Sequence, residues 1–233
     1  MNILVVSAHP DDAEIFCGGT IIKYVKMGHK VCILICTDGS AGSDTLTEEE
    51  ISKVRKKEAE EASKIMGTEL VFLDYKDEFF PYSDQARLEV LDIIRKLKAD
   101  TIFTHHPEPY SYKDHDTVSR IVSEAAQFSS IKNIPTNNQP TKEQPYLYYF
   151  ETFTGIGFKP EEYVDVTDVM QIKKEALLKH ESQNSWMQLN LIDFIETKAK
   201  FRGYQCGCKY SEAFVGFKPF TRKYYKSVLP QYL

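Results

Sequence analysis

The chain reads as an α/β protein: a Rossmann-like three-layer sandwich with a mostly parallel sheet and a C-terminal elaboration. Two observations predict this class. Short apolar runs alternate with helical patterns from residue 3 to residue 150, as in parallel strands joined by crossover helices. The connections are short, and right-handed crossovers then favour a Rossmann-like strand order. The 233 residues fit one domain over 1–233, with no internal repeat or linker.

The elements follow in order. Ile3 to Ala8 is an apolar run ending in a turn, a buried strand. Asp12 to Met27 reads as a helix stopped by Gly28. Val31 to Cys36 is a second strand, and Ser40 to Thr45 a small-residue loop. Glu48 to Met66 is helical, with Ile51, Val54, Ala62 and Ile65 near helical spacing and Gly67 at its end. Leu70 to Leu73 is a third strand. Gln85 to Lys98 is amphipathic through Leu88, Leu91, Ile94 and Leu97. Thr101 to Thr104 is a fourth strand, followed by a loop from His105 to Asp114. Asp116 to Phe128 is helical, and Tyr146 to Phe150 a fifth strand. The polar stretch Ser129 to Gln144 is either a pocket lid or a surface loop. Val169 to Lys200 is mostly helical, broken near Asn184-Ser185, and the remainder resists assignment. Aromatics there, such as Phe217, Phe220, Tyr224 and Tyr225, read as packing or subunit contacts.

Composition narrows the function. The chain is 42% hydrophobic and 27% charged, enough for a core and a solvated surface. A net charge of −5 and a pI near 5.7 give no electrostatic footprint for nucleic acid or anionic lipid. No apolar run has membrane length, and the start does not resemble a signal peptide. Five cysteines without a framework point to reduced thiols and a cytoplasmic protein. Cys32 and Cys36 read as core thiols, and Cys206-Gly207-Cys208 is too tight for a zinc-finger pair.

The chemistry concentrates in two loops. Ala8-His9-Pro10-Asp11-Asp12-Ala13-Glu14 follows the first strand, and His105, His106, Asp114 and His115 follow the fourth. In a Rossmann-like order these strands are neighbours at the switch point, where ligands bind. The clusters therefore converge. Two histidines, a carboxylate and an open position suit a catalytic zinc ion, and iron, manganese or cobalt also accept such ligands. One of two adjacent aspartates can bind metal while the other serves as general base. Dinucleotide binding is disfavoured, because His-Pro-Asp-Asp stands where a glycine-rich phosphate loop belongs and Gly18-Gly19 comes too late. No nucleophile-elbow serine motif occurs. Aspartates at a helix start also cap it, which accounts for one carboxylate but not for the histidine beside the pair. His180 shares a helix face with Ile172 and Ala176, so a core-lining role competes with a functional one. Arg55 lies in the charged run Lys53 to Glu61, which reads as a solvated helix face, although arginine suits hydroxyl and phosphate recognition.

Ala8-His9-Pro10-Asp11-Asp12-Ala13-Glu14 with Asp114-His115 resembles the PIG-L/LmbE family of zinc-dependent N-deacetylases. Supporting matches are Thr37-Asp38-Gly39 with Gly42, Arg55 and Glu58, His180-Glu181-Ser182-Gln183, and Ser211-Glu212-Ala213-Phe214. The resemblance implies one Zn2+ per chain on His9, Asp12 and His115, with Fe2+, Mn2+ or Co2+ as substitutes. It implies that Asp11 is the general base and Asp114 an orienting partner. Family members often form trimers or hexamers. One position departs: where many members carry an oxyanion-stabilising histidine, this chain has Tyr112. Tyr112, Tyr110, His105, His106 or His180 can donate that hydrogen bond.

Three functions follow as expectations. The first is removal of acetyl from an N-acetylated amino sugar or glycoside, a small-molecule substrate, with Arg55, His106, Tyr110 and His180 as substrate-binding candidates and Tyr112 and Asp114 assisting Asp11. The second is hydrolysis of a larger amide in a thiol conjugate or secondary metabolite. The third is metal or ligand binding without turnover, against which the retained Asp11 argues.

Overall fold

The computed structural model describes residues 1–107, 112–186 and 190–218. Tyr110, Phe220, Tyr224 and Tyr225 lie outside these residues. A seven-stranded sheet forms the middle layer, in the order β3-β2-β1-β4-β5-β7-β6. Its strands are β1 (Asn2–Ser7), β2 (Lys30–Thr37), β3 (Glu69–Tyr75), β4 (Thr101–His105), β5 (Tyr146–Phe150), β6 (Glu162–Asp165) and β7 (Ser211–Gly216). The first five run parallel, and β7 pairs antiparallel with both β5 and β6. The C-terminal elaboration thus extends the sheet by two antiparallel strands that carry no strong alternation in sequence.

The helices are α1 (Asp12–Lys26), α2 (Glu48–Met66), α3 (Asp84–Leu97), α4 (Lys113–Phe128), α5 (Met170–Leu177), α6 (Glu181–Trp186) and α7 (Leu191–Cys206). They cover both faces because β1 is apolar on both. Ile3 and Val5 point into a core shared with α1, α2, α5 and α7. Leu4 and Val6 point into a second core under α3 and α4, which also takes Cys32 and Cys36. All five cysteines are free thiols. Among the described residues no helix is long and apolar enough to cross a membrane.

Local signals set most boundaries. Thr47 and Glu50 form a reciprocal capping box at the start of α2, and Gly67 closes that helix with a left-handed φ of 75°. The Ser83 hydroxyl caps α3. Helix α4 starts at Lys113, three residues earlier than the apolar pattern implies, so Asp114 and His115 lie in its first turn. Carboxylates there suit the positive end of the helix dipole. Strand β3 runs two residues beyond its apolar stretch, to Tyr75. The C-terminal helical region breaks twice: at Leu178–His180, between α5 and α6, and again between Trp186 and Leu191, close to the expected Asn184-Ser185.

Residues 129–145 pack against α3. Arg95 donates to the carbonyls of Phe128, Ser129, Ile131 and Ile134 and to the Thr136 hydroxyl, so this stretch is an anchored surface loop. Helices α5 and α7 are joined through Glu196, which accepts from Lys174, Lys200 and the Tyr210 hydroxyl. Those partners, Lys174 first, hold the Glu196 carboxyl down from its ordinary 4.5 to about 2. A depressed carboxyl stabilises the fold above the unfolded-state value and loses that effect as pH falls through the folded one. Wild type is therefore expected to have a higher urea midpoint than Glu196→Gln at pH 7. The gap should narrow between about pH 4.5 and 2, as denaturation curves across that range would show.

Candidate metal and catalytic site

The loops after β1 and β4 meet, as the strand order requires. Strand β1 has β2 on one side and β4 on the other, so their C-terminal loops open a crevice at this switch point. Thr37 fastens its floor: its amide and hydroxyl both donate to the Ala8 carbonyl, at 2.9 and 2.8 Å. A cavity of about 130 Å³ sits there, lined among others by His9, Asp11, Asp12, Arg55, Asp77 and His115.

Three donor groups face one another. His9 Nδ1 lies 3.1 Å from His115 Nε2 and 3.4 Å from Asp12 Oδ2, and His115 Nε2 lies 3.3 Å from Asp12 Oδ1. His9, Asp12 and His115 therefore form a group able to hold a metal ion, and His9 with Asp77 and Glu78 form an overlapping one. Three further observations fit the first set to a cation. Its ring nitrogens converge, which is unfavourable without a shared proton or an ion. The far nitrogen of His9, Nε2, is 3.0 Å from Asp77 Oδ1, as expected of a carboxylate that fixes a ligand's tautomer. Two nitrogens and an oxygen are the donor types of catalytic zinc sites.

The remaining polar groups orient this set. The Asp12 carboxylate also accepts from the His9 amide at 2.7 Å. His105 stacks on His115 at 3.9 Å, and its Nε2 accepts from the Ala8 amide at 3.0 Å. Burial and the neighbouring His115 push His105 down to about 3, so it is a neutral packing partner. Burial opposes charge on His9, but Asp114, Asp12 and Asp77 outweigh it and raise its pKa. Burial likewise works against the Asp12 carboxylate, yet His115 and His105 hold its pKa well below the ordinary value. Asp114 is fully buried, 3.8 Å from His9 Nε2, and accepts from the Phe80 amide.

Asp11 differs from Asp12. Its φ of 150° is one that side chains rarely adopt, at a cost of about 1–3 kcal/mol, and it turns the carboxylate away from its neighbour. Arg55 Nη2 donates to Asp11 Oδ2 at 3.2 Å and to the Pro10 carbonyl at 3.3 Å. Burial lifts the Asp11 pKa to about 6, against the pull of Arg55. The carboxylate is thus mostly ionised at neutral pH but far more basic than an exposed aspartate, a useful state for a general base.

The structure corrects the solvated reading of Arg55. Hydropathy points Val54 inward and Arg55 outward, and the reverse is found: Val54 is exposed and Arg55 is 4% exposed. Gly39 and Gly42 make room for it. A Cβ on Gly39, whose φ is 68°, would lie 2.8 Å from Arg55 Nε, and one on Gly42 would lie 2.7 Å from Nη1. Arg55 also pairs with Asp77 Oδ2 at 3.6 Å, joining the base to the partner of His9.

The other expected residues divide. Tyr112 lines the cavity and packs edge-on against His115 at 5.5 Å. His106 packs edge-on against Tyr149 and Phe158 and is not among the cavity-lining residues. His180 is fully buried behind the site, with Nε2 3.6 Å from Glu14 Oε1. Burial disfavours its charge, but Glu14 outweighs burial and raises its pKa. Asp77 was not singled out from sequence. It follows β3 at the same sheet edge as His9 and His105, so extending the edge argument to the third strand would have found it. Gln183, which donates to the Gly42 carbonyl at 3.0 Å, also lines the cavity.

The family model for PIG-L, GlcNAc-PI de-N-acetylase, matches residues 4–126. The chain belongs to this family. It is 30% identical over 221 residues to the diacetylchitobiose deacetylase of Thermococcus kodakarensis, spanning 91% of this chain and 81% of that one. It is also similar to the solved N,N'-diacetylchitobiose deacetylase of Pyrococcus horikoshii, with a TM-score of 0.84, 31% identity, and coverage of 94% of this chain and 87% of that one. The GalB hydratase of Pseudomonas putida shares the fold, with a TM-score of 0.85 at 21% identity over 96% of this chain and 99% of its own. The fold alone therefore does not select the reaction.

Arg55 is the cation that two buried carboxylates share, so its loss leaves Asp11 without its guanidinium partner and Asp77 with His9 alone. Arg55→Met is expected to lower unfolding free energy by about 3–5 kcal/mol, the usual cost of breaking a buried pair, as read by urea denaturation.

Proposed function

We propose that this protein is a zinc-dependent deacetylase that removes acetyl from an N-acetylated amino sugar of the N-acetylglucosamine type. The observation that carries the reading is the division of labour between adjacent aspartates. Asp12 faces His9 and His115, whereas Asp11 is turned aside onto Arg55 and lines the same cavity. A binding protein has no need of the second, basic carboxylate. Sequence similarity to a diacetylchitobiose deacetylase over most of the chain supports the substrate class.

His9, Asp12 and His115 would hold the metal. When bound, such an ion polarises the amide carbonyl and acidifies water. Asp11 accepts the proton of the attacking water as oxygen bonds to the acetyl carbon. It then returns that proton to the sugar nitrogen as the C–N bond breaks, leaving acetate and a free amine. Asp77 and Asp114 keep the His9 ring oriented. Tyr112, at the cavity mouth beside His115, donates its hydroxyl to the oxyanion in place of the family's histidine. Arg55 acts through Asp11 and Asp77 by holding both carboxylates. His180 pairs with Glu14, and His106 packs against Tyr149 and Phe158.

Acetate release from N-acetylglucosamine and N,N'-diacetylchitobiose, by chelator-treated protein with and without zinc, tests the activity. Zinc-dependent release is expected, and stoichiometric zinc binding without release from either sugar would overturn the reading. Asp11→Asn is expected to abolish turnover while retaining zinc, and His115→Ala to lose both. Tyr112→Phe should lower kcat by about 10²–10³ with zinc affinity unchanged, the usual effect of losing one oxyanion donor.

A further inference from the structure

Helix α1 is broken just after the turn that carries Asp12. Cys17 has φ −144° and ψ 19°, outside the helical range, and Gly18-Gly19 follow it. A helix that restarts in the interior needs partners for its freed amides and carbonyls. Two side chains distant in sequence supply them. Glu212 on β7 accepts from the Gly19 amide at 2.8 Å, the Thr20 amide at 2.7 Å and the Thr20 hydroxyl at 2.6 Å. It caps the second segment of α1 as an N-terminal carboxylate would. Lys173 on α5 donates to the Ile15 carbonyl at 3.0 Å, closing the first segment, and to Glu212 Oε1 at 2.6 Å. Both side chains are 3% exposed.

The glycine pair admits these partners. A Cβ on Gly19 would lie 2.7 Å from the Val166 side chain and 3.1 Å from Glu212 Oε1, and one on Gly18 would lie 3.3 Å from Lys173 Cγ. A buried ion pair gives little net stability over apolar residues of similar volume. Its place across a helix break, with each charge ending one segment, is accounted for by geometry. The first segment holds Asp12 and Glu14, and the second is anchored in the core through Ile21 and Ile22.

We propose that Lys173 and Glu212 are a positioning pair that splints the break in α1 and thereby sets the Asp12 carboxylate against His9 and His115. The inference rests on the ligand set proposed above. The test is the affinity for zinc, by competition with a chromogenic chelator, and the visible spectrum of the cobalt(II)-loaded protein. Glu212→Gln and Lys173→Met act one step further from the ions than a direct partner of a ligand, so they are expected to bind zinc about 10-fold more weakly, the low end of the effect of losing such a partner, and to shift the cobalt bands. Ile94→Ala, which removes core volume under α3, should cost stability without moving either readout. Wild-type affinity and spectra in both variants, whatever stability they lose, would overturn the proposal. If Glu212→Gln does not fold, Thr20→Val removes only the hydroxyl bond to Glu212. A smaller shift in the same direction is expected, and no shift overturns the proposal. Wild-type protein that binds neither ion would remove the ligand set and this inference together, whereas binding with unaltered variants removes only the positioning role.

Discussion

Four aspartates (Asp11, Asp12, Asp77 and Asp114) are buried within one crevice, and the site depends on how their charge is matched. Burying an unpaired carboxylate is strongly unfavourable, so each must find a cation or a set of donors. Arg55 serves Asp11 and Asp77, His9 serves Asp77 and Asp114, and Asp12 faces His9 and His115 and accepts from the His9 amide. Four carboxylates gather where Arg55 is the permanent cation and the other partners are imidazoles, so carboxylates exceed fixed positive charge. That excess is the electrostatic reason the crevice suits a divalent cation, and it ties the candidate base to the candidate ligands through a single arginine.

The same matching explains several local irregularities. Asp11 adopts a φ of 150°, which separates its carboxylate from that of Asp12. Gly39 and Gly42 lack side chains where the guanidinium of Arg55 passes. Ser182, at the start of α6, donates its amide and hydroxyl to Glu58, one turn beyond Arg55, which locks the late His180–Gln183 segment onto α2. Motifs scattered from residue 9 to residue 214 thus answer one demand: to hold charged groups at fixed separations away from water.

The legibility of the site in sequence followed from how local each signal was. His9, Asp11 and Asp12 stand together after an apolar run, and His115 stands after another, so strand order alone brought them together. Arg55 was misread because helical periodicity ranks residues by hydropathy, and here a charged residue takes the inward position while Val54 faces water. Asp77 escaped because β3 outruns its apolar stretch by two residues, leaving the aspartate apparently deep in a loop. Lys173 and Glu212 gave no local signal, since each is explained only by a backbone break in a helix more than 150 residues away.

By itself, the sequence determined the α/β class, the first five strands and the family-type motif, because these depend on apolar periodicity and on residues adjacent in the chain. The tertiary structure decided which charges are buried and who neutralises them. It also decided that the C-terminal strands turn antiparallel and that Glu212 reaches the break in α1. The physical reason is range. Hydrophobic patterning acts over one or two helical turns, whereas a buried charge is stabilised by whichever partner the folded chain brings within about 3–4 Å, the reach of a hydrogen bond or ion pair, from any distance along it.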